Sequence, residues 1–479
     1  MKYEVVIGLE THSELATASK LWCGCSTVFG APPNTQVCPV CLGMPGVLPV
    51  LNKKALEYSL RTALALNSRI NLFSTFDRKN YYYPDLPKNY QISQNYLNLG
   101  VDGYVEIRSN GGRKKISINN VHLEEEAGKL IHPEDPSADY SLVDFNRAGV
   151  PLLEIVTNPD MRSLEEVEQF MLTLRNILLY NEVSDCKMQE GSLRFEASIS
   201  LRPMGQEKLG SRVEMKNLNS MKAVLKALEY EMVRQTDILD SGKEVDMETR
   251  LWDEVRGKTE RMRTKEEAHD YRYFPEPDLV PMVIEESWLD ELKSTLPELP
   301  LSRRNRFVEE YSLSDYDAGV LTEDKAVADY FERCVELHTS PKSLSNWITN
   351  DVLRELKERK VEIKDFKVRP EMLVELVKMV EGSAVSMPVA RGVFVDMADT
   401  GRDAAEIVKE KGLLQISDKE EIEQIILRVL EENPVAVGDY QKGKKAALGF
   451  LVGQIMRETK GKANPQVVNE LLKRKIKVG

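Results

Sequence analysis

The chain has 479 residues, 42% of them hydrophobic and 30% charged, with a formal net charge of −12. This is the composition of a globular protein long enough for several domains. The acidity argues against nonspecific nucleic-acid binding over the whole surface, and no apolar run approaches the ~20 residues that span a bilayer.

Tyr3 to His12 alternates like a strand, and the chain enters this pattern so early that no leader is expected, which predicts a cytoplasmic protein. Parity puts Val5, Ile7, Leu9 and Thr11 on one face and Val6, Gly8, Glu10 and His12 on the other. Glu10 and His12 could therefore serve one divalent cation; a strand end turned to solvent would look the same. Four of the six cysteines follow, as Cys23-Gly-Cys25 and, twelve residues later, Cys38-Pro-Val-Cys41. Two close pairs joined by a short loop predict a tetrahedral, closed and structural Zn2+ site. Cys186 and Cys334 read as small buried side chains.

Helical spacing covers Lys53 to Asn67. The stretch Asp77–Gln94, DRKNYYYPDLPKNYQISQ, sets Arg78, Lys79 and Lys88 among four tyrosines, and Pro84 and Pro87 exclude a continuous helix. It predicts a rigid loop whose ammonium and phenol groups suit phosphate oxygens and the faces of bases. Strands are predicted around Tyr104–Ile107 and Lys115–Val121, separated by Asn110-Gly-Gly. The second runs into HLEEEAGK, residues 122–129, where parity pairs Glu124 with Glu126 and sets Glu125 opposite unless the backbone turns.

A capping box, Ser163-Leu-Glu-Glu166, opens a helix reaching about Tyr180. In the next two strands Arg194, Glu196, Ser198, Ser200 and Arg202, then Arg212, Glu214 and Lys216, alternate with apolar residues. Interleaved acids and bases suit a sheet that floors a cleft for a metal-bound polyphosphate. They suit plain cross-strand charge pairing equally well. A helix is predicted over Asn219–Asp240, then a polar stretch ending at residues 269–281. Leu296-Pro-Glu-Leu-Pro300 marks a domain boundary, beyond which the periodicity is helical to about Thr400 and again from about Asp403.

Asn433 to Gly479 carries ten Lys/Arg against three Asp/Glu, a balance of +7, leaving −12 − 7 = −19 for the rest of the chain. A basic tail on an acidic body suggests a polyanionic partner, with a solvated helical face as the plain alternative. Gly438 to Lys445 imitates a P-loop but has Lys where the Mg2+-binding Ser/Thr belongs, and no strand precedes it. It reads as a Gly/Lys turn opening a helix over Ala446–Lys460, with N–H groups suited to a nucleic-acid phosphate.

The segments GLETHSEL, DRKNYYYPDLPKNYQISQ, HLEEEAGK, SLVDFNRAGVPLLEIVT, VEMKNLNS, YRYFPEPDL and GFLVGQIMRETKGKANPQ resemble the GatB family, the B subunits of aspartyl/glutamyl-tRNA(Asn/Gln) amidotransferases. The likeness runs from Tyr3 to about Leu472. It implies an α+β fold: a cradle-shaped catalytic domain on a mixed, antiparallel sheet (1–293), an all-helical domain (294–402) and a small helical tail domain that binds tRNA (403–479). It implies an enzyme that uses ATP to phosphorylate the side-chain carboxylate of mischarged Glu-tRNA(Gln) or Asp-tRNA(Asn). Ammonia from a partner amidase (glutaminase) subunit then attacks the acyl phosphate. The resemblance implies a heterotrimer completed by a further, small subunit.

By position, Glu10, His12, Glu124 and Glu125 look like Mg2+ ligands, Lys79 a phosphate contact and Glu214 a further acid of the site. Lys79, Glu125 and Glu214 are thus the catalytic candidates, and Lys88, Arg212 and Lys216 join Lys79 as candidates for holding ATP. Lys442, Lys444, Lys445, Lys460 and Lys462 are the tRNA-binding candidates. Where the family pattern is Leu-Arg-Cys-Asp-Ala-Asn, this chain has Leu193-Arg-Phe-Glu-Ala-Ser198, which keeps an acid at Glu196 one methylene longer. No serine or cysteine nucleophile motif for releasing ammonia from glutamine is present, so a partner has to supply it. A non-catalytic tRNA-binding or assembly subunit is the competing class, opposed by the Lys79 loop and the acidic segments.

Overall fold

The computed structural model describes residues 2–109, 112–133, 135, 137–264, 270–414, 419–459, 463 and 465–476. They form two compact units, Met1–Pro300 and Leu301–Gly479. The first is built on nine strands: β1 (Tyr3–Glu14), β2 (Arg69–Ile70), β3 (Gly100–Ser109), β4 (Gly112–Glu125), β5 (Pro151–Thr157), β6 (Leu193–Pro203), β7 (Val213–Lys216), β8 (Glu248–Asp253) and β9 (Lys258–Thr264).

Their order in the sheet is β9-β8-β7-β6-β1-β5-β4-β3-β2. After β1 the chain goes to one edge and returns strand by strand until β5 lies beside β1. It then passes to the other side of β1 and builds outward to β9. Neighbours are antiparallel except β7 and β8, which are parallel. β1 is therefore the middle of the sheet.

Alternation decides which face is buried. Val5, Ile7, Leu9, Ile155, Phe195 and Ile199 share one core with the helices Lys53–Ala65, Leu164–Tyr180 and Met221–Asp240. Each side chain fully buried this way contributes roughly 1.5–3 kcal/mol. A one-residue slip of β1 would turn that set to the polar side, so its register is strongly specified. The helices start where their caps stand: Asn52 Oδ1 accepts from Lys54 N at 2.9 Å, and Ser220 Oγ accepts from Ala223 N at 3.0 Å. At Ser163 half of the expected capping box forms. Ser163 Oγ accepts from Glu166 N, while Glu166 turns to Arg162 N and the Lys114 ammonium.

The stretch expected to be a rigid loop, Asp77–Gln94, is a hairpin. Asp77–Asn80 pairs antiparallel with Tyr90–Ser93, and the two prolines lie in its turn. Phe274–Pro275 adds a third strand beside Arg78 and Asp77, so two segments nearly 200 residues apart in sequence meet in one small sheet. Alternation within the hairpin sends Arg78 to Glu276, bidentate at 2.7 and 2.8 Å, and Lys79 to the opposite side.

The second unit is helical, and with the sheet of the first it makes an α+β protein. Helices from Pro300–Tyr311 to Ala404–Glu410 enclose a core that includes Phe307, Phe331, Trp347 and Phe394. Ala404, Ile407 and Val408, beyond the expected boundary at 402/403, pack into this core. A separate core of Ile422, Ile426, Leu451, Ile455, Val468 and Leu472 joins the last helices. No helix among the described residues is long and apolar enough to cross a membrane.

Candidate active site and metal centres

The face of the sheet turned away from the helices Lys53–Ala65, Leu164–Tyr180 and Met221–Asp240 carries the acids, which are largely buried. Register sets His12 on β1 opposite Glu154 on β5, and Glu154 opposite His122 on β4. One carboxylate thus sits between two imidazoles, with Glu154 Oε2 at 3.3 Å from His12 Nε2 and 3.2 Å from His122 Nε2. Glu124, one step along the same face of β4, lies 3.9 Å from His12 and 3.7 Å from His122. Ser93 Oγ, from the hairpin, donates to Glu124 at 3.1 Å. His12, Glu124 and Glu154 bring one ligand atom each to within 4.8 Å of one another. Two carboxylates and an imidazole converging in this way suit a hard or borderline divalent cation.

The electrostatics describe a site short of positive charge. Burial disfavours a charged His122, yet Glu154 and Glu124 outweigh it and raise its pKa to about 10. His12 is raised against burial by the same two carboxylates. Glu10 is pushed up by burial and then by Glu154, Glu196 and Glu214. These acids are neighbours by register: Glu10 faces Glu196 across β1 and β6, and Glu214 on β7 faces Ser198. Lys216 answers part of the charge, at 2.8 Å from Glu196 and 3.2 Å from Glu214. Arg212, just before β7, is half exposed and 3.6 Å from Glu214.

Lys79 reaches the cluster from the hairpin. Its ammonium lies 5.0 Å from the Tyr271 ring centre and 6.0 Å from that of Tyr81. Burial opposes its charge, but Glu124, Tyr273 and Glu154 raise its pKa above the ordinary lysine value. Among the described residues no carboxylate comes within ion-pair distance of it. A cation held by aromatic faces, beside acids it does not bond, is free to meet a phosphate oxygen.

A second cluster lies in the loop after β1. The sulfurs of Cys23, Cys25, Cys38 and Cys41 approach within 4.8 Å of one another, and all four thiols are free. Cys41 Sγ accepts from Cys38 N at 3.2 Å and from the fully buried Lys20 ammonium at 3.6 Å. The hydrogen bond from Cys23 lowers the Cys41 pKa. Four thiolate donors at such spacing are a closed set for one tetrahedral ion.

Residues 5–290 match the GatB/GatE catalytic domain, and residues 329–476 the GatB domain. The chain belongs to the GatB family. It is 56% identical over 476 residues to the B subunit of the aspartyl/glutamyl-tRNA(Asn/Gln) amidotransferase of Caldanaerobacter subterraneus subsp. tengcongensis, covering 99% of this chain and 100% of that one. The corresponding protein of Thermoanaerobacter pseudethanolicus is 55% identical at the same coverage, and that of Moorella thermoacetica 53%. The family is a component of glutamine-dependent carbon–nitrogen ligases, as the sequence motifs implied.

Within this GatB fold, three expected residues, His12, Glu124 and Lys79, come together around Glu154, with Glu10 beside them. Glu125 does not join them. It follows Glu124 without a turn in the backbone, so it points through the sheet, where the Lys88 ammonium bonds it and Ile92 N donates to it at 2.8 Å. Lys88 is correspondingly committed to Glu125, beside Cys41 and Lys20 in the wall of one cavity. Glu126 returns to the acid side and pairs with Arg194.

Sequence reasoning missed Glu154 and His122. The available signal for Glu154 was a lone carboxylate in the mostly apolar Pro151–Thr157 strand, a position that needs a partner. In the tail, Lys442, Lys444 and Lys445 are exposed at a turn with Gly443 at φ +88°, and Lys444 reaches Asp439 at 3.0 Å. Lys460 and Lys462 lie outside the described residues.

Proposed function

We propose that this chain carries the ATP-dependent half of tRNA-linked amidation, in the cytoplasm. A carboxylate does not react with ammonia until its oxygen is made a leaving group. The side-chain carboxylate of mischarged Glu-tRNA(Gln) or Asp-tRNA(Asn) attacks the γ-phosphorus of ATP and ADP departs. Ammonia, supplied by a partner amidase in a heterotrimer that includes a further small subunit, attacks the acyl carbon and phosphate leaves. The products are Gln-tRNA(Gln) or Asn-tRNA(Asn).

Phosphoryl transfer needs positioning and charge stabilisation more than covalent help. His12, Glu124 and Glu154, with Glu10 in reserve, would hold Mg2+, which when bound neutralises charge developing on phosphate oxygens. Lys79 would meet the transferred phosphoryl group. Glu214, Arg212 and Lys216 would continue the site along β7 toward the rest of the nucleotide. Glu125 and Lys88 keep a supporting part, holding the hairpin that carries Lys79. The four cysteines would hold a structural Zn2+. Lys442, Lys444 and Lys445, together with Lys460 and Lys462, would contact the tRNA backbone, where each phosphate contact releases counterions and makes binding salt-dependent.

The observation that carries this reading is the unpaired Lys79 ammonium beside the His12–Glu124–Glu154 cluster. The test is amidation of both mischarged tRNAs by the reconstituted assembly, with ATP and with ammonium chloride replacing glutamine. Product from at least one tRNA, dependent on ATP and on Lys79, is expected. ATP-independent product, or full activity of Lys79→Ala, would refute the proposal.

A further inference from the structure

The loop that carries the cysteines has an unusual composition for this protein. From Leu21 to Asn52 there are 32 residues without a single Asp, Glu, Lys, Arg or His, in a chain that is 30% charged. The segment is not a core element. Between Trp22 and Asn52 it contains no helix and no named strand. Much of it faces solvent, including large apolar side chains: Phe29 is 68% exposed, Leu48 63% and Val50 72%, with Val28 and Met44 more than half exposed.

A surface loop of this length ordinarily carries charge, because charge keeps exposed backbone solvated and discourages association. Depletion of charge is instead a mark of the buried centre of a protein–protein interface, and Phe29 and Met44 are of the residue types favoured there. The cation just before the segment is withdrawn from solvent, while Lys53 and Lys54 just after it are exposed at the start of a helix. Lys20 is fully buried, and its ammonium is spent on Cys41 Sγ and the Phe145 carbonyl, at 3.6 and 3.3 Å, rather than offered to solvent.

The loop is also held in shape. The four sulfurs from its two limbs lie within 4.8 Å of one another, so an ion bound there would hang Val28–Phe29 on one limb and Met44–Leu48–Val50 on the other from a common anchor. Gln36 Nε2 donates to Val28 O at 3.1 Å, Asn146 Nδ2 to Pro32 O at 2.7 Å, and Met44 N to Pro39 O at 3.0 Å. Exposed apolar side chains on a preorganised loop lose little further entropy on docking, which is what a constraint of this kind adds to affinity.

We infer that the uncharged face of the cysteine loop is a docking surface for another subunit of the amidotransferase, and that the metal knot serves assembly by holding that face in shape. The occupant is an apolar, uncharged surface of the amidase. No ion pair is available between Leu21 and Asn52 to recognise a charged partner, and nucleic acid has no cations there to bind. The inference rests on the proposal that the chain works with such a subunit.

The experiment uses the full-length chain and the amidase of the same organism, purified with the small subunit. Phe29→Asp and Leu48→Asp each put a charge on an exposed position, where the fold of the isolated chain has little to lose. Val255→Asp, at a residue 98% exposed on the β8–β9 turn, is the control. Zinc content and thermal midpoint of the three isolated variants should equal those of the wild type. Affinity for the amidase, by titration calorimetry or interferometry, should fall about tenfold or more for each loop variant, the scale of an interface anchor, and stay unchanged for the control. Amidation driven by glutamine should fall with it, and amidation driven by ammonium chloride should persist. Wild-type affinity in both loop variants overturns this inference alone, and so does weaker tRNA binding with unchanged assembly. A wild type that does not assemble with the amidase at all overturns the heterotrimer reading as well.

Discussion

The acid cluster and the cysteine knot are both able to hold a metal, and they are built in opposite ways. The knot takes all four donors from 19 consecutive residues, Cys23 to Cys41, and needs only a loop to close. The acid cluster takes its donors from β1, β4 and β5, so it exists only once the sheet is in register. The first would fix a shape by binding an ion. The second is shaped by the fold beforehand, with its ligands already buried and their charge only partly answered. Preorganisation of that kind belongs to chemistry, and closed thiolate coordination to structure.

Removing the reactive side of this contrast should have the largest effect. Lys79→Ala is expected to lower ammonia-driven amidation by about 10²–10³-fold, the usual loss for a group aimed at developing charge, while tRNA affinity stays near wild type. Initial rates under saturating ATP, with filter binding of the tRNA, would check both. Glu154→Gln should lose amidation to a similar degree, and also stability. It leaves His12 and His122 without the carboxylate between them, and breaking a buried pair costs about 3–5 kcal/mol. A chemical-denaturation midpoint equal to wild type would mean that the ion triad does not form.

Disturbing the structural side should be milder. Cys38→Ser is expected to abolish zinc retention after dialysis against a chelator and to lower the thermal midpoint, while the sheet persists, because only the loop depends on the ion. Metal analysis and circular dichroism measure the two separately. The smallest effect belongs to the tail. Lys444→Glu with Lys445→Glu should weaken tRNA binding and flatten its salt dependence by about one to two phosphate contacts. Binding titrations at several salt concentrations would show it, and an unchanged slope would point to a tail that meets protein instead.

The same contrast explains what could be read in advance. The knot was legible because its evidence is local spacing. The half-buried strands and their faces were legible from alternation, which is how Glu10 and His12 were seen to point the same way. The helices Lys53–Ala65 and Met221–Asp240 lie within two residues of their expected ends. The hairpin was hidden by its tip, since Pro84 and Pro87 speak against regular structure while the stem strands on either side are only four residues each. Its third strand, Phe274–Pro275, is too short to leave any periodic signal. Glu154 and His122 stayed invisible as partners because nothing local says that β5 lies between β1 and β4. Strand parity had already set Glu125 apart from Glu124, and the sheet keeps them apart.

We propose that the divalent-cation site lies on the Glu124 face of the sheet and not on the Glu125 face. Titration of the chain with Mn2+, followed by the loss of the free-ion electron paramagnetic resonance signal, tests it directly. Glu124→Gln and Glu154→Gln should each lose the tightest site, while Glu125→Gln should retain it at wild-type affinity. Loss of that site in Glu125→Gln, with retention in Glu124→Gln, would contradict the account.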